Sequence, residues 1–242
     1  LWSHHGGTWG LPGGALADGE SPVAGAVREA VEEAGVPPEV LRVHATRVLE
    51  HPDWAYTTVV AEAVHDFEPD TTDHESLEVG WVPLAGLTDR ELLPAFADAL
   101  PELRDMVRRL VLVVDAANVV GSRPDGWWHD RQEATTRLRD HLTDVATDGL
   151  PGGVVGLPGD RWFPEVVMVS EGAARGVPPT DGVHVVEAAG SGDDEIVAQV
   201  ERVAGQDRPG PAHVVVATAD RGLIGRVRAL GATVVGPRSL GY

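Results

Sequence analysis

The chain has 242 residues, enough for one large or two ordinary domains. It contains no cysteine, which excludes disulfides and thiolate-held metals. Its net charge of −19 argues against a protein that coats nucleic acid in general, and no apolar run reaches membrane-spanning length.

Residues 1–12, LWSHHGGTWGLP, read as the end of a strand and a turn. His4 and His5 could contact a substrate phosphate or be ordinary loop residues, and Trp9 beside Leu11 reads as core. Only these 12 residues precede Gly13 and the chain opens without Met, so a natural first strand is expected to be missing. No signal peptide is visible at Leu1, and a cytoplasmic location is expected.

The stretch from Gly13 to Val36, GGALADGESPVAGAVREAVEEAGV, predicts a short helix. Ser21 suits the N-cap, Pro22 the first helical position and Gly35 the C-terminal stop. Val23, Val27, Ala30, Val31 and Ala34 recur at helical spacing. At roughly 100° per residue, Glu29, Glu32 and Glu33 gather on the opposite face. Gly25 lies one turn before Glu29 on that side, where exposed backbone is expected. Three like charges within about 1.2 turns repel one another, whereas a merely solvated face intersperses basic residues. Hard oxygen ligands on a rigid element suit Mg²⁺ or Mn²⁺; the bland alternative is an acidic surface helix.

With its Gly loop and arginine, this stretch resembles the Nudix box, G-x5-E-x7-R-E-U-x-E-E-x-G-U. The match falls at Gly14, Glu20, Arg28, Glu29, Ala30, Glu32, Glu33, Gly35 and Val36, with Ala30 small for its position. The resemblance implies an α+β Nudix domain, a mixed sheet between helices, over residues 1–109. It also implies divalent metal and hydrolysis of a nucleoside diphosphate linked to another group. Glu32 and Glu33 would be main ligands, Glu29 a ligand or general base, and Glu20 the completing carboxylate. Arg28 would orient the glutamates by charge-assisted hydrogen bonds, and the Gly14 region would bring a backbone carbonyl near the metal.

Residues 41–64 predict two strands joined at His51-Pro52-Asp53. Asp53, Trp54 and Tyr56 could frame a base or sugar, or could be a polar turn with aromatic packing. In HESLEVGWVPL, residues 74–84, a late strand is expected to carry Glu75 and Glu78. In Nudix enzymes an additional glutamate there often approaches the metal; strand parity leaves open which one would do so. A helix, interrupted by Pro94 and Pro101, is expected over Leu87–Leu110.

From Leu110 the pattern changes. LVLVVDAANVV opens with a continuous aliphatic run, which is how a strand buried on both faces reads. Further strands are expected at Val166–Val169, Val183–Val186, Val214–Ala217 and Thr233–Val235. Helices fit over about 129–147, 193–204 and 220–229, giving a doubly wound α/β domain over residues 110–242. Asp115, Asp193 and Asp220 would all lie where parallel strands end, at one crevice; alternatively Asp193 and Asp220 are helix caps.

The words VDAANVVG, GDDEI and VVVATADRGL resemble the NYN group of PIN-like nuclease domains. The resemblance implies a PIN-like parallel-sheet domain in which Asp115, Asp193 and Asp220 hold Mg²⁺ or Mn²⁺ for RNA hydrolysis, with Asn118 matching a family Asn and Asp194 accessory. Trp127, Trp128 and Arg131 could stack on and pair with RNA, or pack between domains.

These readings combine into a Mg²⁺-dependent Nudix pyrophosphohydrolase, with Glu29, Arg28 and Glu78 in the chemistry. Glu20, Glu29, Glu32, Glu33 and Gly14 would be at the metal, and His5, Trp54 and Tyr56 on the substrate. The substrate would be a nucleoside diphosphate-X or triphosphate, an oxidised guanine nucleotide among the candidates, and the second domain would be a metal-dependent RNase. Two alternatives stand beside this: a nuclease whose Nudix part acts on RNA ends or products, and a nucleotide-sensing Nudix module without turnover. RNA and a second copy of the chain are candidate partners; a membrane is not.

Overall fold

The computed structural model describes residues 7–72, 76–124, 126–206, 208 and 210–242. The chain divides into two compact units, Leu1–Val107 and Arg108–Tyr242.

In the first unit, helix α1 runs Pro22–Ala34. The Ser21 hydroxyl accepts the Ala24 N–H at 3.2 Å, Pro22 needs no donor partner, and Gly35 stops the helix in the left-handed region at φ 62°. Strands β1, Leu41–His51, and β2, Trp54–Ala63, form an antiparallel hairpin closing at His51↔Trp54. Their register shifts between Val43 and Ala45, so His44 is an extra, bulged residue; it is buried, with Nε2 3.2 Å from a Glu62 carboxylate oxygen. α1 packs against β2.

Helix α2, Pro94–Met106, starts on one of the two prolines expected to interrupt it and runs through the other, Pro101. Leu100, Leu103 and Met106 are buried along it, and that packing outweighs a proline cost of about 3 kcal/mol. Trp9 bridges to Leu92: its N–H donates to the Glu91 carbonyl and its carbonyl accepts the Leu93 N–H, each at 2.8 Å.

The late strand is not formed in its described part. Residues 76–83 are irregular, Leu77 is 93% exposed and Glu78 is exposed. Trp81 instead turns back on Phe67, edge to face, and its indole N–H donates to the Phe67 carbonyl at 3.0 Å. Without a pairing edge and a buried face, a lone strand has nothing to hold it.

The second unit opens with β3, Arg109–Asp115, buried along its whole length. It continues through α3, Ala116–Gly121; α4, Arg131–Asp148; the antiparallel pair β4, Leu150–Pro151, and β5, Arg161–Trp162, around α5, Gly152–Val155; and β6, Glu165–Ser170. Then follow β7, Val183–Glu187; α6, Gly192–Ala204; β8, Ala212–Ala217; α7, Arg221–Ala229; and β9, Thr233–Val235. The sheet is parallel, in the order β7-β6-β3-β8-β9. Val111, Val113, Val169 and Val216 meet Ile196, Val200, Leu223 and Val227 of α6 and α7 in one core. α3 and α4 pack against β6, with Leu138 and Leu142 fully buried. The chain moves outward from β3 in both directions, so β3 and β8 flank the point where strand order reverses. That is where a doubly wound sheet opens a crevice at its carboxyl edge.

Candidate active site

Arg28 is the hub of the first acidic cluster. Its Nε donates to Glu20 Oε1 at 3.0 Å, one terminal nitrogen donates to Glu29 at 2.8 Å and Glu32 at 3.0 Å, and the other to Glu20 Oε2 and the Ala15 carbonyl, each at 3.0 Å. The i,i+4 spacing along α1 brings Glu32 over Arg28, while Glu20 returns from the loop. Glu20 also accepts the Ala17 N–H at 2.9 Å, and Glu33 accepts the Gly13 N–H at 3.2 Å. The guanidinium, and then the Ala17 N–H, hold the Glu20 carboxyl below the usual range; Glu20 first, then Glu29, pushes Arg28 upward.

Two glycines make this closeness possible. A side chain at Gly14 would collide with the Glu29 carboxylate, and one at Gly25 would collide with Leu16 and press on Glu20. Gly25 is therefore buried beneath the loop, not the exposed backbone expected.

Four carboxylates on one loop and one helix turn are hard donors, a set that fits Mg²⁺ or Mn²⁺. Glu32 is 58% exposed along its side chain, which leaves that donor open to solvent. In the arrangement described, three of the four close on Arg28, and among the described residues no three acids or histidines stand around a common cation position.

Of the expected substrate contacts, Trp54 is half-exposed and stacks on His51 with ring centroids 5.0 Å apart. Tyr56 is half-exposed beside Gly13; burial and then the Glu33 charge raise its phenol, keeping it protonated. Glu78 lies in the irregular segment, and His5 and Glu75 lie outside the described residues.

The second cluster sits at the carboxyl edge of the parallel sheet. Asp115 ends β3, buried; one oxygen accepts the Asn118 N–H at 3.1 Å and the other accepts the Thr218 hydroxyl at 2.8 Å. The Asn118 side-chain oxygen accepts the Ala219 N–H at 2.9 Å, tying the turn after β3 to the loop after β8. Asp220 caps α7 through the Leu223 N–H at 2.8 Å.

Asp193 does not cap α6, as one reading allowed: Ser191 holds the cap position, and Asp193 lies in the first turn. The Gly192 N–H at that helix start is taken by Glu171 at 2.6 Å. Glu171 directly follows β6, and sequence reasoning missed it; an acid one residue past an aliphatic strand was the available signal. Burial, then the charges of Asp193 and Glu171, push Asp115 upward against the pull of its hydrogen bonds. Burial, then Asp220, push Asp193 upward, with Arg226 opposing. Asp194 is paired with Arg226 at 2.7 Å. Trp128 is exposed, and Arg131 lies over the Trp127 ring at 5.4 Å.

The NUDIX domain family matches residues 2–110. A nucleoside triphosphate pyrophosphatase/Nudix hydrolase fusion protein of Bifidobacterium longum is 49% identical over 111 residues, 42% of this chain and 23% of that one. A Mycobacterium tuberculosis protein provisionally named 8-oxo-dGTP diphosphatase 3 is 46% identical over 110 residues, 43% of this chain and 50% of that one. The chain thus spans half or less of the curated relatives it matches. Among solved structures, the M. smegmatis Nudix hydrolase RenU is 40% identical, with TM-score 0.39, covering 43% of this chain and 67% of that one. The N-terminal part of this chain, residues 2–110, belongs to the Nudix family.

Proposed function

We propose that residues 1–109 form a divalent-metal-dependent Nudix pyrophosphohydrolase that cleaves a phosphoanhydride of a nucleoside diphosphate-X or nucleoside triphosphate. The observation that carries this reading is the Arg28 hub, which holds three carboxylates of one loop and helix within 2.8–3.0 Å of a single guanidinium. Glu20, Glu29, Glu32 and Glu33, with the Gly14 carbonyl, would hold Mg²⁺ or Mn²⁺. When bound, such an ion neutralises phosphate oxygens and acidifies the attacking water. Glu29, wedged against Gly14, would take the proton of that water. Arg28 fixes its orientation, and Trp54 with neutral Tyr56 would frame the base. An oxidised guanine nucleotide is the first substrate to try, because a relative carries that activity in its name.

The second reading assigns residues 110–242 as an NYN/PIN-like metal-dependent RNase. It is favoured by Asp193 and Glu171 lying close enough to push Asp115 upward, and Asp220 close enough to push Asp193 upward, at the carboxyl edge of the sheet. The test is a screen of nucleoside triphosphates, oxidised triphosphates and single-stranded RNA with Mg²⁺ and Mn²⁺. Release of a nucleoside monophosphate supports the first reading and shortened RNA the second. Tight nucleotide binding without turnover would replace the first by a sensing role.

A further inference from the structure

We propose that the second unit carries, beside its acidic crevice, a pocket that seats one nucleotide of a single-stranded RNA, with Arg238 and the Asn118 amide on its phosphate. This rests on reading that unit as an RNA-cleaving domain. A cavity of about 580 Å³ opens beside α3, lined by Ala117, Asn118, Gly121, Ala219, Pro237 and Arg238 among others.

Asn118 belongs to both the crevice and the pocket. The Ala219 N–H needs an acceptor, which fixes the Asn118 oxygen toward the loop that carries Asp220. The amide nitrogen at the other end of that side chain has no partner among the described residues, so its two donors remain for a ligand. The backbone N–H of the same residue holds Asp115, so a phosphate on Asn118 neighbours whatever lies against the acids.

Arg238 is exposed in the short turn Pro237–Leu240 and its guanidinium has no partner among the described residues. In a chain with 38 acids and 19 arginines, an unpaired guanidinium beside an acidic crevice suits an incoming anion. Its planar fork matches two phosphate oxygens, and it offsets the repulsion that the acids exert on a phosphodiester. Ala117, Gly121 and Ala219 leave a shallow floor where a sugar can lie against backbone. Trp127 neighbours the lining residue Gly121: a side-chain carbon there would sit 3.8 Å from a Trp127 ring carbon, so an aromatic ring stands near the seat.

The test uses the full chain in EDTA, where cleavage is suppressed, and a fluorescent single-stranded RNA of about 12 nucleotides, within the span such sites cover. Binding is followed by anisotropy across a salt series. Arg238→Ala should weaken binding by roughly tenfold and flatten the slope of log K against log salt by about 0.7, the loss of one phosphate contact. Arg238→Lys should recover part of both. Because Arg238 is exposed and without a partner among the described residues, its alanine variant should melt like the wild type. Equal affinity and slope in Arg238→Ala overturn the pocket, even if the wild type cleaves RNA in Mn²⁺. Failure of the wild type to bind also overturns it. Arg238-dependent binding with RNA left whole in Mn²⁺ supports the pocket and overturns the nuclease reading instead.

Discussion

Around Arg28, three carboxylates from one loop and one helix turn meet a guanidinium at 2.8–3.0 Å, and Glu20 is held acidic. Around Asp115, the acids come from separate strand ends; among the described residues only Asp194 has an arginine at hydrogen-bond distance, and Asp115 and Asp193 are pushed upward. The same problem, like charges at close range, has two solutions. One carries its own counterion and is stable as a charged group. The other relies on hydrogen bonds to Asp115 and keeps a residual preference for a proton or a cation. A cation entering the first cluster must share the carboxylates with Arg28, whereas one entering the second relieves repulsion outright.

The largest expected effect separates the two clusters by chemistry. Glu32→Gln or Glu33→Gln should lower phosphoanhydride hydrolysis on the order of 10²-fold or more while leaving the fold intact, as loss of an electrostatic stabiliser does elsewhere. Turnover near the wild-type rate at subsaturating Mg²⁺ would remove these residues from the chemistry.

Next comes metal-linked stability. Mn²⁺ at 100 times its dissociation constant should stabilise the second unit by about 2.7 kcal/mol. In a thermal melt of the full chain, Asp115→Asn should erase that gain and Glu32→Gln should keep it. A gain that survives Asp115→Asn would place the ion elsewhere.

Smaller still is a contrast inside the second cluster. Asp220→Ala loses a helix cap and should cost about 0.5–2 kcal/mol in urea unfolding. Asp193→Ala loses no cap and should cost nothing in metal-free buffer. Equal costs would show that the two acids share one structural role.

The smallest effect is the pH dependence of Asp115. Its folded value lies above its ordinary 3.8, so the folded chain holds this proton more tightly than the unfolded one. The stability contributed is full below 3.8 and is lost as pH rises through the folded value. Asn cannot titrate, so the melting temperature of Asp115→Asn relative to wild type should rise between acid and neutral pH. Glu20 has the opposite sign: its value is lowered, so its contribution is present above its ordinary 4.5 and lost as pH falls through the folded value. A flat difference for Asp115→Asn would mean that its hydrogen bonds cancel its burial.

The parts of this architecture that local chemistry dictates are readable in the sequence. Ser21, Pro22 and Gly35 bracket α1, and the expected strands at 166–169, 183–186, 214–217 and 233–235 lie within the observed ones. What tertiary packing decides is less readable. Pro101 reads as an interruption, but four buried residues, Ala99, Leu100, Leu103 and Met106, hold α2 together across it. The sequence alternation around Glu78 reads as a strand, yet a strand needs an edge to pair with, and spacing cannot reveal whether one is free. Gly25 looks exposed on a helical wheel because the wheel omits the Leu16 loop lying over it. Glu171 was overlooked because one acid after a strand is common; its meaning comes from the Gly192 N–H it takes 21 residues away.

The hydrogen bond from Thr218 to Asp115 joins residues 103 positions apart, whereas the Arg28 hub uses ligands at most 13 positions from it. On a ribosome adding about 5–20 residues per second, the hub can close almost as soon as α1 emerges. Once Asp115 has been made, the crevice must wait about 5–20 s more for Thr218 to follow. During that interval β3 exists without its β8 neighbour, its edge open and one Asp115 oxygen still without the Thr218 hydroxyl. A chain that stops between Val107 and Thr218 therefore carries a complete first cluster and an unassembled second one, and such prematurely terminated products retain at most the chemistry of the N-terminal unit.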